Sequence, residues 1–408
     1  MHQRSTIRVP APVVTAKAYA ECRAPLLVCF SHLRWDFVWQ RPQHLLERAA
    51  KQFRVLFIEE PMFKPGIAPY MDVTRRSAGV TIAVPMLPEG TSPSGAILAQ
   101  RELVARLLAR EDKAARVFWY YTPMALAFSS HLECDLCVYD NMDELSTFSG
   151  ASPELLALER KLFARADIVF TGGMSLYEAK RSRHRNVHGF PSSIDFDHFS
   201  KARAFGGPEP ADQVGVPHPR LGFFGVIDER MDTDLVGKVA ALRPDWHFMM
   251  IGPVVKIDPA CLPQRKNIHW LGGKDYKDLP RYLATWDVGF MPFAINEATR
   301  FISPTKTPEF LAAGVPVVST PITDVVQPYG EKGLVEIAST PAEVVRRVEL
   351  LFARPKESWL ARVDRHLAAG SWDKTWGAML KLVADGLGEP ALYRPATSLP
   401  TYATTPAE

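Results

Sequence analysis

Short apolar runs rich in β-branched and aromatic residues alternate with helical spacings of apolar positions along most of the chain, starting at Leu26-Leu-Val-Cys-Phe30. Period-2 and fully apolar runs predict strands over 25–31, 54–60, 80–86, 116–121, 136–140, 167–171 and 186–190. Helical spacing predicts helices over 41–52, 95–110, 152–166 and 175–183. Pro42 and the pair Ser152-Pro153 supply helix starts. Residues 200–219 then break the pattern with Gly206-Gly207-Pro208 and further prolines, and read as a linker. A second series follows, with strands over 220–227, 246–252, 267–271, 287–292, 315–319 and 333–337. Its helices fall over 232–242, 276–285, 306–313 and 341–353, with two more over 357–368 and 373–386. Alternation of this kind is the signature of parallel α/β sheets. It divides the chain into a domain over 25–199 and another over 220–370, with ligand crevices expected at the carboxyl ends of the strands. Residues 371–388 form a closing helix expected to pack back on the first domain. An N-terminal extension (1–24) and a tail from Glu389, rich in Pro, Thr and Ala and expected to be disordered, flank this core.

The length of 408 residues suits two such domains, and 47% hydrophobic against 23% charged residues lets both bury cores. A net charge of +3 carries no nucleic-acid signal, so no nucleic-acid partner is expected. No stretch reaches the ~20 apolar residues of a membrane span, and the first 24 residues lack a signal-peptide core. Five cysteines without a regular framework fit a reducing compartment, so a cytoplasmic location is expected. Cys134 and Cys137 form a lone CxxC with no second pair, which reads as structural. One basic cluster stands out, Lys180, Arg181, Arg183, His184 and Arg185. It reads either as a solvated helix C-terminus or as a surface for peripheral contact with an anionic membrane.

The densest chemistry lies between Asn296 and Thr320. An apolar strand ends at Pro292, a polar loop follows, and a helix begins near Thr305 and stops at Gly314. Free amides at that helix start, together with Lys306, would seat a diphosphate. Glu309, about one turn in, could reach ribose hydroxyls. The competing reading is a helix capped by Ser303 or Thr305, with Glu309 favouring the dipole.

The run Ser303-Pro-Thr-Lys-Thr-Pro-Glu-Phe-Leu-Ala-Ala-Gly-Val-Pro-Val-Val-Ser-Thr320 resembles the donor-site signature of bacterial GT-B glycosyltransferases that build surface polysaccharides and cell-wall polymers, the teichuronic-acid-type enzymes among them. The resemblance implies GT-B architecture, two Rossmann-like doubly wound domains facing across a cleft. It implies that Glu309 holds a nucleotide ribose and that Ser303, Thr305 and Lys306 contact diphosphate and sugar. The commoner pattern has a second glutamate eight residues upstream. Here that position is Phe301, and the nearest upstream acid is Glu297.

Three further stretches carry the same resemblance, which covers roughly residues 25–386. Ser31-His-Leu-Arg-Trp-Asp-Phe-Val-Trp-Gln-Arg41 follows the first strand and offers His32, Arg34, Asp36 and Arg41. Val138-Tyr-Asp-Asn-Met-Asp-Glu-Leu-Ser146 offers Asp140 and Asp143, and a carboxylate there could take or orient an acceptor hydroxyl proton. Leu221-Gly-Phe-Phe-Gly-Val-Ile-Asp-Glu-Arg230 offers Gly225, for close phosphate approach, and Arg230, to pair with phosphate.

Asp140, His32 and Asp143 are therefore the catalytic candidates. The donor candidates are Gly225, Arg230, Ser303, Thr305, Lys306 and Glu309. Arg34, Asp36 and Arg41 fall on the acceptor side, and these first-domain residues are expected to act on turnover and not on donor affinity. Asp195-Phe-Asp197 and Asp232-Thr-Asp234 match a metal-binding DxD string by chance frequency, so no metal and no cofactor are expected. Phe170-Thr-Gly-Gly-Met-Ser175 lacks dinucleotide spacing. The implied reaction is transfer from a nucleoside-diphosphate sugar, UDP-sugar favoured, to a carbohydrate or lipid-linked hydroxyl acceptor, with retention of configuration. A GT-B sugar-nucleotide epimerase is the alternative enzyme, and a nucleotide-sugar-binding scaffold the non-catalytic one.

Overall fold

The computed structural model describes residues 24–388 apart from Ser77, Asp112 and Lys113. All but the last residue of the N-terminal extension, and the whole 389–408 tail, lie outside the described residues.

The first sheet contains β1 (Leu26–Phe30), β2 (Arg54–Ile58), β3 (Met62–Lys64), β4 (Tyr70–Arg75), β5 (Val80–Pro88), β6 (Arg116–Tyr120), β7 (Leu136–Asn141), β8 (Ile168–Thr171) and β9 (Val187–Gly189). Its order is β3-β5-β2-β1-β6-β7-β8-β9, parallel throughout, with β4 joined antiparallel to β5. The second sheet is wholly parallel, in the order β12 (Ile268–Gly272), β11 (His247–Ile251), β10 (Arg220–Phe224), β13 (Val288–Met291), β14 (Val317–Ser319), β15 (Val335–Ile337).

Strand order reverses between β1 and β6 in the first sheet and between β10 and β13 in the second. Those switch points open a crevice beyond the carboxyl ends of the strands, where crossover helices diverge to opposite faces. Each loop singled out in the sequence leaves from or beside such a point: Ser31–Gln40 after β1, Asn141–Ser146 after β7, Gly225–Arg230 after β10 and Pro292–Thr305 after β13.

Central strands such as β1 and β10 are buried at every position, which is why they read as continuous apolar runs. Two strands escape the sequence pattern. β3 is exposed throughout and β4 almost so, so neither carries an inward face that patterning could detect.

The helices that shape the cleft are α1 (Arg41–Ala49), α2 (Leu155–Arg165), α3 (Thr233–Leu242), α4 (Lys306–Ala312) and α5 (Trp372–Leu387). α5 buries Trp372, Trp376, Met379, Leu380 and Val383 against Leu45, Leu46, Trp119 and Val138 of the first domain. At about 25 cal/mol per Å² of apolar surface, two buried tryptophans and three buried aliphatic-sized side chains anchor this helix firmly.

The DxD strings are helix starts. Asp195 accepts from His198 N at 3.3 Å, and Asp232 caps α3 by accepting from Leu235 N at 2.8 Å. The Gly172-Gly173 turn also has a structural partner: the backbone N–H groups of Met174 and Ser175 both donate, at 2.9 Å, to the carboxylate of Asp324 from the second domain. Lys180 is likewise interior, 4% exposed and paired with Glu159 (2.9 Å) and Glu144 (2.5 Å). That removes it from the surface cluster, while Arg181, Arg183 and Arg185 stay exposed.

Candidate active site

The loop after β1 is built around buried polar supports. Glu59, at the end of β2, accepts from Trp35 N (2.8 Å) and from the Arg34 guanidinium (2.9 Å). Gln43 of α1, fully buried, donates to Trp35 O (2.8 Å) and accepts from Gln40 N (3.1 Å). Arg34 also donates to Glu60 O and Pro61 O. It therefore anchors the loop and does not face the cleft. Asp36 points outward, exposed and paired with Arg76 at 2.5 Å, on the rim. His32 is half-buried with its Nδ1 sealed from solvent and unpartnered. Burial first, then Lys256 from the second domain, lowers its pKa to about 4. Its imidazole therefore favours the neutral form well below the ordinary 6.5.

Arg41 opens α1 and is 3% exposed. Its Nε lies 3.1 Å from both Asp140 oxygens, and its Nη1 donates to Phe190 O at 2.7 Å. Asp140, the penultimate residue of β7, is 0% exposed. The expectation that Asp140 meets an acceptor hydroxyl needs correction: its carboxylate is spent on Arg41 behind the cavity wall. Asp143, three residues on, reaches the cavity instead, and burial pushes its carboxyl up against the opposing pull of Arg230 and Arg41.

Across the cleft, Gly225 and Gly252 leave β10 and β11 at φ of 144° and 149°, a region that favours glycine. A Cβ on Gly252 would sit 1.7 Å from Gly225 O, so these two backbones must pass in contact. Neither Ser303 nor Thr305 caps α4 through its side chain. Ser303 O instead accepts from Ser192 of the first domain at 2.7 Å. Lys306 Nζ donates to Thr305 Oγ1 (2.9 Å) and to Glu309 Oε2 (3.0 Å), above the Phe224 ring. Glu309 is 4% exposed, so it belongs to the interior and not to a loop-facing surface. Burial raises its pKa, and Lys306 opposes that rise.

Arg230 is not free in this state. It forks onto Asp228 (2.9 and 2.7 Å) and lies over Phe148 of the first domain. Glu297 is exposed, pairs with Arg300 at 3.5 Å and lines neither of the two cavities described below.

Two adjoining cavities result. The inner one, about 140 Å³, brings together Arg41, Asp143, Gly225, Arg230, Ser303, Thr305 and Lys306. The outer one, about 560 Å³, shares Gly225 and Lys306 and runs outward past Gly252, Pro253 and Gly273–Tyr276, facing Trp35–Trp39. Sequence reasoning missed this outer chamber. Its signals were the glycines directly after β11 and β12 and the aromatics threaded through the Ser31–Arg41 string.

Residues 218–354 match the family model for glycosyl transferases group 1. A Bacillus subtilis (strain 168) protein described as a teichuronic acid biosynthesis glycosyltransferase, TuaH, is 29% identical over 218 residues. That alignment takes in 50% of this chain and 54% of the relative, so the match spans about half of each. Among solved structures, the sucrose-phosphate synthase of Thermosynechococcus elongatus superposes with a TM-score of 0.65 at 14% identity, covering 89% of this chain and 99% of that one. Anabaena Alr3699/HepE in complex with UDP and glucose gives 0.63 at 12% identity, covering 88% and 99%. At such identities the likeness is one of fold, and the fold is GT-B, as the sequence pattern and resemblance implied.

Proposed function

We propose that this GT-B chain, whose second domain is a glycosyl transferases group 1 domain, is a glycosyltransferase of polysaccharide or cell-wall assembly. In this reading it moves a sugar from a nucleoside-diphosphate sugar, UDP-sugar first among them, to a carbohydrate or lipid-linked hydroxyl. One observation carries it. A single cavity sets Lys306 and the Gly225 turn, at the switch point of one sheet, opposite Arg41 and Asp143, beyond the carboxyl ends of strands of the other. The diphosphate would lie at Lys306, and the acceptor would enter from the Arg41–Asp143 side. Preorganised cations aimed at the leaving diphosphate supply the main stabilisation of the transition state. Arg230 joins them once it exchanges Asp228 for phosphate. Asp143, its affinity for a proton raised by burial, is the carboxylate placed to orient the acceptor. Retention of configuration rests on the sequence resemblance, and the anomer of the product, read by NMR, tests it.

The defining experiment offers UDP-, GDP-, ADP- and dTDP-hexoses, with and without acceptor glycans, and follows release of nucleotide and transfer. Neither turnover nor binding with any donor would remove the reading. Transfer is expected to continue in excess EDTA, because Lys306, Arg230 and the amides at the start of α4 would provide the positive charge. Loss on chelation, restored by magnesium or manganese, would show that a cation completes the site.

The pH profile follows from His32. Its pKa lies below the ordinary 6.5, so its neutral form persists as pH falls to about 4. The kcat/KM profile is therefore expected to lack a limb near 6.5 that depends on this residue. A limb there that disappears in His32→Gln would place a titrating imidazole in the mechanism.

Contact with an anionic membrane would use the exposed Arg181, Arg183 and Arg185, with Arg160 of α2 on the same surface as Arg183 and Arg185. Co-sedimentation with vesicles containing phosphatidylglycerol, absent with neutral vesicles, is the expected result.

A further inference from the structure

The outer cavity has walls from both domains, and the first-domain wall is aromatic. Trp35 is interior, held edge-on to Phe57 at 5.2 Å. Trp39 reaches across the cleft, its ring 5.8 Å from that of Tyr276 and tilted by 32°. Its Nε1 also points at His44 Nδ1, 3.4 Å away. Phe37 differs from both. It lines the same cavity, is 52% exposed, and takes no part in the ring contacts among the described residues.

A lone exposed apolar side chain on a convex surface needs no explanation. A large exposed ring on the wall of a concave chamber, beside a second aromatic and a charged end, is the composition of a ligand site. The charged end is Lys306, shared with the inner cavity; it lies beside Gly225, whose backbone passes in contact with that of Gly252, and both glycines line the chamber that Phe37 lines. A nucleotide with its diphosphate at Lys306 and its base in the outer cavity would lie in the chamber that Phe37 lines.

We propose that Phe37 is a further donor-binding residue, the surface on which the nucleobase stacks. The donor nucleotide is then held by both domains and not by the second alone. This rests on the nucleotide-sugar reading above and deepens it. It also departs from the sequence expectation that the Ser31–Arg41 loop acts on turnover without touching donor affinity. Stacking tolerates every base, because each has a π-face.

The test titrates the full chain, calorimetrically, with UDP, GDP, ADP and dTDP. It then compares the tightest of them across wild type, Phe37→Ala and Phe37→Tyr. Phe37→Ala is expected to weaken binding about tenfold or more, at an unchanged thermal midpoint because the side chain is half in solvent. Phe37→Tyr is expected to restore affinity to within about threefold of wild type. Unchanged affinity in Phe37→Ala, or a loss that Phe37→Tyr does not recover, overturns the stacking role. A wild-type chain that binds none of the four nucleotides removes the underlying reading instead, which separates the two failures.

Discussion

Asp140→Asn is expected to destabilise the protein by about 3–5 kcal/mol and, in the fraction that remains folded, to lower turnover by roughly tenfold or more. The reason is the burial of its partner. Arg41 is 3% exposed and Asp140 wholly enclosed, so their attraction acts in a medium far less polar than water. Asparagine keeps the size and one acceptor oxygen but removes the countercharge, which leaves a largely buried guanidinium without its ion-pair partner. Breaking one side of a buried pair is costly for that reason, whatever the net worth of the intact pair. The catalytic effect is indirect. Arg41 also holds Phe190 O and forms part of the inner cavity wall, so a shifted guanidinium moves the surface that meets the acceptor. Nucleotide affinity should stay within about threefold, because Lys306 and Glu309 are untouched. Thermal unfolding, calorimetric nucleotide binding and kcat measured on one preparation distinguish the possibilities. An unchanged midpoint would mean the pair contributes nothing. Lost nucleotide binding with normal kcat would mean that Arg41 belongs to the donor side.

Much of this geometry was legible in the chain. Parallel strands covered on both faces leave unbroken apolar runs, and the loops that follow them lie where doubly wound sheets bind ligands. The Gly225 turn, Lys306 and Asp143 could be named on that basis. What pattern could not supply was direction. Asp140 and Asp143 are three residues apart after the same strand, yet one points back to Arg41 and the other into the cavity. Only the packing of α1 against β7 decides which. Lys180 was misplaced for the same reason, because its partners Glu144 and Glu159 lie far from it in sequence. The aromatic chamber was hidden most completely. It exists where residues 35–39 meet residues 273–276, a juxtaposition that depends on how two separately folded sheets are set against each other.

Lys306 carries the other large expectation. Lys306→Met should reduce turnover by about 10²- to 10³-fold, the scale for removing one preorganised group from a developing negative charge. It should also lower stability, since Lys306 is the ion-pair partner of the buried Glu309 carboxylate. The two effects have separate origins and can be pulled apart. With the lysine gone, the rise in the Glu309 pKa due to burial is unopposed at that contact. The folded state then binds a proton more avidly than the unfolded chain, whose glutamate keeps its ordinary value of 4.5. The sign is fixed by that difference. Stability of Lys306→Met should increase as pH falls from 7 toward 5, and should stop increasing once the unfolded carboxyl is itself protonated near 4.5. The double variant Lys306→Met/Glu309→Gln has no carboxylate to strand. It should regain much of the lost stability and lose that pH dependence, while turnover stays as low as in the single variant. Turnover restored by the second substitution would show that the lysine served only to neutralise Glu309. Turnover that remains low in a stable, nucleotide-binding double variant would leave the lysine's charge acting on the departing diphosphate.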